Sequence, residues 1–167
     1  GRKAILAELA GNGPDRVMLM EKLGRVLLPE RAGARVPGVV RREEGALRLG
    51  CVPLGFSGAS SNGEGRLRIA AFARLEDVVG VMIPYEVPSL PNPRRTASTE
   101  ALAAASTCAE SLGLALGVWG SAALELYTGL PFTREDSDLD LLVAAASDER
   151  LSRLGDEVKA MEERFGL

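Results

Sequence analysis

The spacing of apolar residues divides the first half of the chain into helical and strand-like parts. Apolar positions recur at about every third or fourth residue between 14 and 28, which predicts an amphipathic helix. A shorter helix precedes it, and short apolar runs separated by turn residues predict a small sheet after it. The shorter helix spans 3–10, the strands span 36–42, 47–54 and 67–73, and the run 78–83 is a strand or a helix end. These elements predict a small mixed α/β domain over residues 1–83.

Helical and strand-like patterns alternate through the second half of the chain. The predicted helices span 99–112, 121–128 and 148–165, and the predicted strands span 114–119 and 138–144. Ser121 is the predicted N-cap of the middle helix, and Ser147 or Asp148 is that of the last one. Together with the first half, this alternation predicts an α+β (or α/β) fold.

Residues 84–96 separate the two halves. They contain four prolines in 13 residues, which predicts irregular structure and is typical of a linker. The charge changes at the same place, because residues 1–95 carry 15 basic and 10 acidic groups while 96–167 carry 5 and 13. Both signals predict a domain over 1–83, a linker over 84–96 and a second domain over 97–167.

Histidine is absent from the sequence, and this restricts the chemistry. It excludes Ser-His-Asp and Cys-His nucleophile pairs, imidazole acid–base catalysis, and zinc or iron sites with histidine ligands. The two cysteines, Cys51 and Cys108, match no metal-binding spacing and are predicted to be free thiols. Catalysis is therefore expected to use carboxylates, arginines, lysines, hydroxyl groups, thiols or a metal ion held by oxygen atoms.

Neither a membrane span nor a nucleic-acid-binding surface is predicted. No uncharged stretch exceeds 15 residues, and the stretch 111–124 has 14, whereas a membrane-spanning helix needs about 18 or more. No secretory start of basic and then apolar residues is present, so we expect a cytoplasmic protein. The net charge is −3, and the acidic half lacks interleaved basic and aromatic residues, which disfavours nucleic acid as a partner.

Residues 117–143 combine two features that suit phosphate and metal chemistry. Gly120 and Ser121 follow an apolar strand and begin a helix, where backbone N–H groups and the helix dipole favour a phosphate. Asp138 and Asp140 begin the next predicted strand, and residues two apart on a strand project from the same face. Neighbouring carboxylates repel unless a cation lies between them, and Mg²⁺ or Mn²⁺ prefers oxygen ligands. This pattern is typical of phosphoryl or nucleotidyl transfer.

The combination of Gly-Ser with a later Asp-x-Asp resembles the signature of the nucleotidyltransferase superfamily. The stretches YTGL at 127–130 and SDLDLL at 137–142 are similar to those of the malonate decarboxylase holo-acyl-carrier-protein synthases, the phosphoribosyl-dephospho-CoA transferase family. Three earlier stretches follow the order of that family: PGVVRR at 37–42, VPLG at 52–55 and RLRIAA at 66–71. The resemblance covers the chain from residue 36 to residue 143.

The resemblance implies an enzyme whose substrate is triphosphoribosyl-dephospho-CoA. A serine hydroxyl of the acyl-carrier subunit of malonate decarboxylase would attack the innermost phosphate, and pyrophosphate would leave. The catalytic residues Asp138 and Asp140 would hold Mg²⁺ (or Mn²⁺), and Gly120 and Ser121 would bind the outer phosphates. The candidates for binding the other phosphates or the dephospho-CoA are Arg41, Arg42, Arg66 and Arg68. An acidic carrier would dock on the basic first domain.

Each of these arginines also has a simpler interpretation. Arg41 and Arg42 are followed by two glutamates, which fits a solvated hairpin of paired charges. Arg66 and Arg68 alternate with apolar residues, which equally fits the exposed face of a half-buried strand.

The superfamily usually has a third carboxylate on a strand after the next helix, and no such strand follows residues 148–165 here. We therefore expect an incomplete nucleotidyltransferase palm, truncated at its C-terminus, or else an inactive protein. Two other functions stay open: a minimal nucleotidyltransferase that adds AMP to another acceptor, and a non-catalytic, palm-derived binding or regulatory module.

Overall fold

A computed structural model of the protein describes residues 37–42, 48–58, 68–144 and 146–167. The helices predicted over 3–10 and 14–28 lie outside the described residues, and so does Arg66. The chain divides into two compact units between Val81 and Met82. The described residues form antiparallel sheets and separate helices, so the fold class is α+β, as predicted.

The first unit contains a three-stranded antiparallel sheet in the order β1, β2, β3. Its strands are β1 (Val39–Val40), β2 (Cys51–Ser57) and β3 (Arg68–Arg74). Ile69 and Ala71 are buried whereas Arg68 and Ala70 are exposed, which is the two-residue alternation of a sheet with one solvated face. β2 continues three residues beyond its predicted end because residues 55–57 pair with 68–70.

The apolar run 78–83 is neither a strand nor a helix, so that prediction is wrong. A single 3-10 turn at Leu75–Asp77 ends β3, and the amide of Val78 donates to the carbonyl of Leu75 at 3.1 Å. Within the described ranges no strand pairs with this run, and Val79 is 93% exposed. An apolar, β-branched composition is therefore not sufficient for a strand where no partner is adjacent.

The second unit contains three helices and a two-stranded antiparallel sheet. In chain order the elements are α1 (Ala97–Ser111), β4 (Leu116–Val118), α2 (Gly120–Thr128), β5 (Leu141–Val143) and α3 (Asp148–Phe165). Leu116 pairs with Val143, and Val118 pairs with Leu141. Both strands are shorter than predicted because their pairing ends where the chain turns from β4 into α2.

Apolar side chains from these elements form one core. It includes Leu102 of α1, Val118 of β4, Leu126 of α2 and Leu154 of α3. Leu154 is the one fully buried residue of α3, so this helix is held along a narrow face and presents charged residues elsewhere. Among the helices that the structure describes, none combines the length and the apolar character that crossing a bilayer requires.

The proline-rich segment contributes to the second unit. The carbonyl of Pro84 accepts a hydrogen bond of 3.1 Å from the amide of Val118, and Val87 lies in the core. The prediction of irregular structure is wrong at Val87–Ser89, which form a 3-10 turn closed by the amide of Leu90. The turn tolerates Pro88 because the first positions of a helix need no internal N–H donor. The domain boundaries themselves stay a prediction.

Candidate functional site

The start of α2 follows directly on the end of β4. Only Trp119 joins the two elements, and its backbone is extended, with φ −125° and ψ −175°. Gly120 then has a φ of +65°, a left-handed conformation that glycine adopts without the steric penalty of a Cβ atom. The first turn of a helix carries N–H groups with no partner inside the helix, so this position is suited to an anion.

The predicted capping role of Ser121 is wrong. The N-cap of α2 is Trp119, whose side chain makes no capping hydrogen bond, and Ser121 lies within the first turn, half-buried. The helix begins one residue earlier than predicted because the left-handed backbone of Gly120 turns the chain into it. Ser121 is therefore the second residue of the helix, directly after Gly120.

The Asp140 carboxylate lies against this helix start. The amide of Trp119 donates to the carbonyl oxygen of Asp140 at 2.9 Å, which continues the β4–β5 pairing by one residue. A Cβ atom placed on Gly120 would overlap Oδ2 of Asp140. The absence of a side chain at Gly120 is therefore what allows the carboxylate to approach the helix.

Asp138 and Asp140 lie in the loop just before β5, not within the strand as predicted. The pairing of β5 covers only Leu141–Val143 because β4 has only three residues to offer. Asp138 and Asp140 are exposed while Leu139 between them is half-buried and packs against the core. This alternation places both carboxylates on the solvent side, where two oxygen donors suit a hard divalent cation.

The carboxylates of Asp138 and Asp140 fit the expected magnesium ligands, and the described residues offer no third ligand beside them. The described residues contain no group of three or more histidine, cysteine, aspartate or glutamate residues placed to hold a metal ion. A Mg²⁺ ion commonly binds through one or two carboxylates and completes its octahedron with water and substrate phosphates. Asp138, Asp140 and a phosphate at the start of α2 would form such a set.

The described arginines of the predicted site, Arg41, Arg42 and Arg68, belong to the first unit, and the two aspartates belong to the second. Arg42 and Arg68 are exposed, and Arg68 begins β3 as part of its solvated face. Arg41 is half-buried, with its guanidinium carbon 6.0 Å from the centre of the Phe72 ring, and its Nε is buried without a hydrogen-bond partner among the described residues. Arg66 lies outside those residues.

Sequence reasoning missed a buried ion pair on α2. Glu125 is 2% exposed, and its carboxylate accepts hydrogen bonds from Nε and Nη2 of Arg95 at 3.0 and 2.9 Å. The amide and the hydroxyl of Thr133 donate to Oε2 of Glu125 at 2.6 and 2.7 Å. A lone glutamate within the apolar stretch 122–126 is the signal that could have indicated this contact.

Hydroxyl groups extend this ion pair towards α1. Oγ1 of Thr133 lies 2.9 Å from Oγ1 of Thr96, and the amide of Thr96 donates to Oγ1 of Thr99 at 2.9 Å. All three threonines are buried. The network therefore joins the start of α1, the middle of α2 and the loop that leads to Asp138.

The surroundings of Glu125 shift its pKa in opposite directions. Burial alone raises the pKa of this carboxyl group, but the hydrogen bonds from Arg95 and Thr133 and the charge of Arg95 outweigh burial. The net pKa lies below the ordinary value of 4.5. In the same way the hydrogen bond to Glu125 raises the pKa of Arg95.

This shift predicts a loss of stability in acid. Because the pKa of Glu125 is lower in the folded state, its contribution is complete above pH 4.5 and disappears as the pH falls through the folded-state pKa. We expect the free energy of unfolding, measured with urea from pH 7 to pH 3, to fall more steeply for the native protein than for Glu125→Gln. Parallel pH profiles of the two proteins would contradict the prediction.

Comparisons of the chain with family models and with curated proteins indicate the same family. Residues 6–84 match the model of the phosphoribosyl-dephospho-CoA transferase MdcG N-terminal domain, and residues 87–166 match that of the C-terminal domain. No solved structure is significantly similar to the chain.

Curated relatives carry the same description. A phosphoribosyl-dephospho-CoA transferase of Xanthomonas campestris pv. campestris (strain 8004) is 37% identical over 112 residues, which are 65% of this chain and 50% of that protein. Another, from Xanthomonas euvesicatoria pv. vesicatoria (strain 85-10), is 31% identical over 134 residues, 80% of this chain and 62% of the relative. The chain thus spans about half to three-fifths of the length of these relatives.

Proposed function

Because the chain belongs to the phosphoribosyl-dephospho-CoA transferase family, we propose that it catalyses the transfer named by that family. In this proposal the donor is triphosphoribosyl-dephospho-CoA and the acceptor is a serine of the acyl-carrier subunit of malonate decarboxylase. The reaction depends on Mg²⁺ and releases pyrophosphate. A cytoplasmic location stays a prediction.

The approach of Asp140 to the start of α2 is the observation that carries the proposal. A carboxylate and a helix N-terminus lie side by side there, because Gly120 has no side chain and the amide of Trp119 holds the Asp140 backbone. A phosphate bound to the N–H groups of the first turn would lie next to a metal ligand. This juxtaposition suits a nucleotidyltransferase, where a bound metal ion would neutralise charge on the reacting phosphates.

Each residue of the site has a distinct role in the proposed reaction. Asp138 and Asp140 hold the metal ion, which neutralises charge on the reacting phosphates when it is bound. The start of α2 at Gly120 and Ser121 binds the outer phosphates and orients them as the leaving group. The exposed Arg42 and Arg68 are available for the other phosphates or the dephospho-CoA.

The bond changes follow from this arrangement. The serine oxygen forms a bond to the innermost phosphorus, and the bond from that phosphorus to its bridging oxygen breaks. Pyrophosphate takes the electron pair of the broken bond. Since the chain contains no histidine, a carboxylate or the metal ion would have to assist the removal of the hydroxyl proton.

A mass measurement on the carrier tests this proposal. The full-length protein is incubated with apo-carrier, Mg²⁺ and triphosphoribosyl-dephospho-CoA, and the carrier should gain the mass of the phosphoribosyl-dephospho-CoA group. A carrier with alanine in place of its acceptor serine, and a reaction with a chelator, are the controls. No mass gain with all components present would overturn the proposal, and labelling by ATP instead would favour the transfer of AMP.

A further inference from the structure

The loop between α2 and β5 carries both aspartates and has little regular structure of its own. Asp140 at its end is held by the backbone bond to Trp119. Asp138 precedes this bond, and the nearest fixed points before it are the buried Thr133 and a turn in which the amide of Arg134 donates to Oγ of Ser137 at 2.8 Å. Leu139, the next residue, packs against the core. The location of Asp138 therefore depends on this contact and on how the loop is held upstream.

Three polar groups of Thr133 form hydrogen bonds with the buried ion pair. Its amide and hydroxyl donate to Glu125, as described above, and its carbonyl oxygen accepts a bond of 2.6 Å from Nη2 of Arg95. We refer to Arg95, Glu125 and Thr133 together as the Thr133 brace. The brace fixes the backbone of the loop at Thr133, five residues before Asp138, at both its donor and its acceptor.

One rigid helix connects the brace with the proposed phosphate site. Glu125 lies on α2, whose first residue, Gly120, contacts the Asp140 carboxylate. The same helix thus holds the loop at Thr133 and receives Asp140 at its start. The distance between Asp138 and the first turn of α2 thus depends on the brace as well as on α2 and on the packing of Leu139 against the core.

Stability alone is a weak reason for such a pair. A buried ion pair can often be replaced by apolar residues of similar volume without loss of stability, because removing the charges from water offsets most of their attraction. The Glu125 carboxylate is almost fully buried, whereas the Arg95 side chain is 43% exposed. The pair also binds Thr133, on the loop that leads to Asp138. It can therefore orient a proposed metal ligand as well as stabilise the fold.

We propose that Glu125 and Arg95 are positioning residues, which hold Asp138 in the geometry that binds the metal ion. This inference rests on the proposed function, since it takes Asp138 and Asp140 as the metal ligands. Groups that orient metal ligands from outside the coordination sphere change metal affinity or activity by about 10- to 100-fold when they are replaced. The brace acts through the backbone, so its loss should weaken metal binding while the fold remains.

The test measures metal binding directly. Mn²⁺ is titrated into the full-length protein and free Mn²⁺ is followed by its paramagnetic resonance signal, for the native protein, Glu125→Gln, Arg95→Lys and Glu110→Gln. Glu125→Gln keeps the side-chain volume and removes the charge, and we expect the Kd for Mn²⁺ to rise about tenfold or more. Arg95→Lys keeps a positive charge but cannot make the paired bonds, so a smaller rise is expected. Circular dichroism shows which variants are folded.

Glu110→Gln is the matched control, because Glu110 is an exposed glutamate of α1 that takes no part in the Thr133 brace. Its Kd should stay within about twofold of the native value, as is usual for an exposed substitution. Native affinity in both Glu125→Gln and Arg95→Lys would overturn the positioning role, and so would the absence of Mn²⁺ binding to the native protein. If Glu125→Gln does not fold, the half-exposed Arg95→Lys decides alone.

The same titration separates this inference from the proposed function. A native protein that binds Mn²⁺ but modifies no carrier would contradict the transfer reaction, while a raised Kd in Glu125→Gln would still support the brace. A native protein that modifies the carrier, with unchanged Kd in both brace variants, would support the reaction and contradict the brace.

Discussion

Replacing Asp140 by asparagine will lower kcat for the transfer by about a thousandfold, while the protein stays folded. A metal ion supplies several kcal/mol of charge stabilisation in the transition state, and each 1.4 kcal/mol is a factor of about ten in rate. Asparagine has nearly the same shape as aspartate but no charge, so it weakens the metal site without filling new space. The backbone bond from Trp119 to residue 140 does not involve the side chain and is retained.

The measurement compares kcat for carrier modification at saturating Mg²⁺ in the native protein, Asp140→Asn, Asp138→Ala and Asp136→Asn. Asp136 is an exposed aspartate on the same loop, so its replacement makes the same change in charge at a residue that is not a proposed ligand. We expect near-native activity for Asp136→Asn and a large loss for the other two variants. Activity within tenfold of the native value in Asp140→Asn would remove that residue from the metal site.

Replacing Gly120 by alanine will abolish metal binding and also lower stability. The φ of +65° at this position costs a residue with a Cβ atom about 1–3 kcal/mol. In addition, the new methyl group would overlap the Asp140 carboxylate and force it away from the start of α2. The two effects have different causes. A substitution at the glycine that follows α2 distinguishes the loss of stability from the loss of metal binding.

Gly129→Ala is the control for the backbone effect. Gly129 follows α2 with a φ of +67°, and a Cβ atom there would meet no heavy atom within 4 Å. Urea unfolding should show a similar loss of stability in both variants, whereas Mn²⁺ titration and the carrier assay should show a loss only in Gly120→Ala. If both variants bind Mn²⁺ equally well, the close approach of Asp140 to Gly120 has no part in metal binding.

The sequence pattern predicted the described helices of the second unit more closely than the two strands of that unit. The helix predicted over 148–165 matches α3, and that over 99–112 differs from α1 by two residues at its start and one at its end. A helix is stabilised by contacts within its own segment, so its periodicity and ends are visible locally. The strand predicted over 138–144 shrinks to Leu141–Val143, because its length depends on β4, a partner more than 20 residues away.

The sequence also predicted some features of the candidate site and not others. The spacing of Asp138 and Asp140 predicted that both would face the same side, and the structure exposes both with Leu139 inward. The contact of Asp140 with Gly120 depends on a left-handed backbone that the sequence allowed but did not require. The roles of these residues, and those of Ser121 and the arginines, stay predictions.

The apolar neighbours of Glu125 could have indicated a buried acid, but they do not identify its partners. Its partners Arg95 and Thr133 lie 30 residues before it and 8 residues after it. Nothing in the local pattern of α2 indicates that an arginine from the proline-rich segment would reach this helix. Long-range polar contacts of this kind follow from tertiary packing, which periodicity does not encode.

Trp119, which links β4 to α2, is the one tryptophan of the protein. Its side chain is 43% exposed, and its backbone amide donates a hydrogen bond to the carbonyl oxygen of Asp140. An indole is a natural fluorophore whose emission depends on the polarity around it, and here a single indole lies beside the start of α2. The protein therefore carries a built-in optical reporter at the site itself, so that events there can be followed by its emission without any added label.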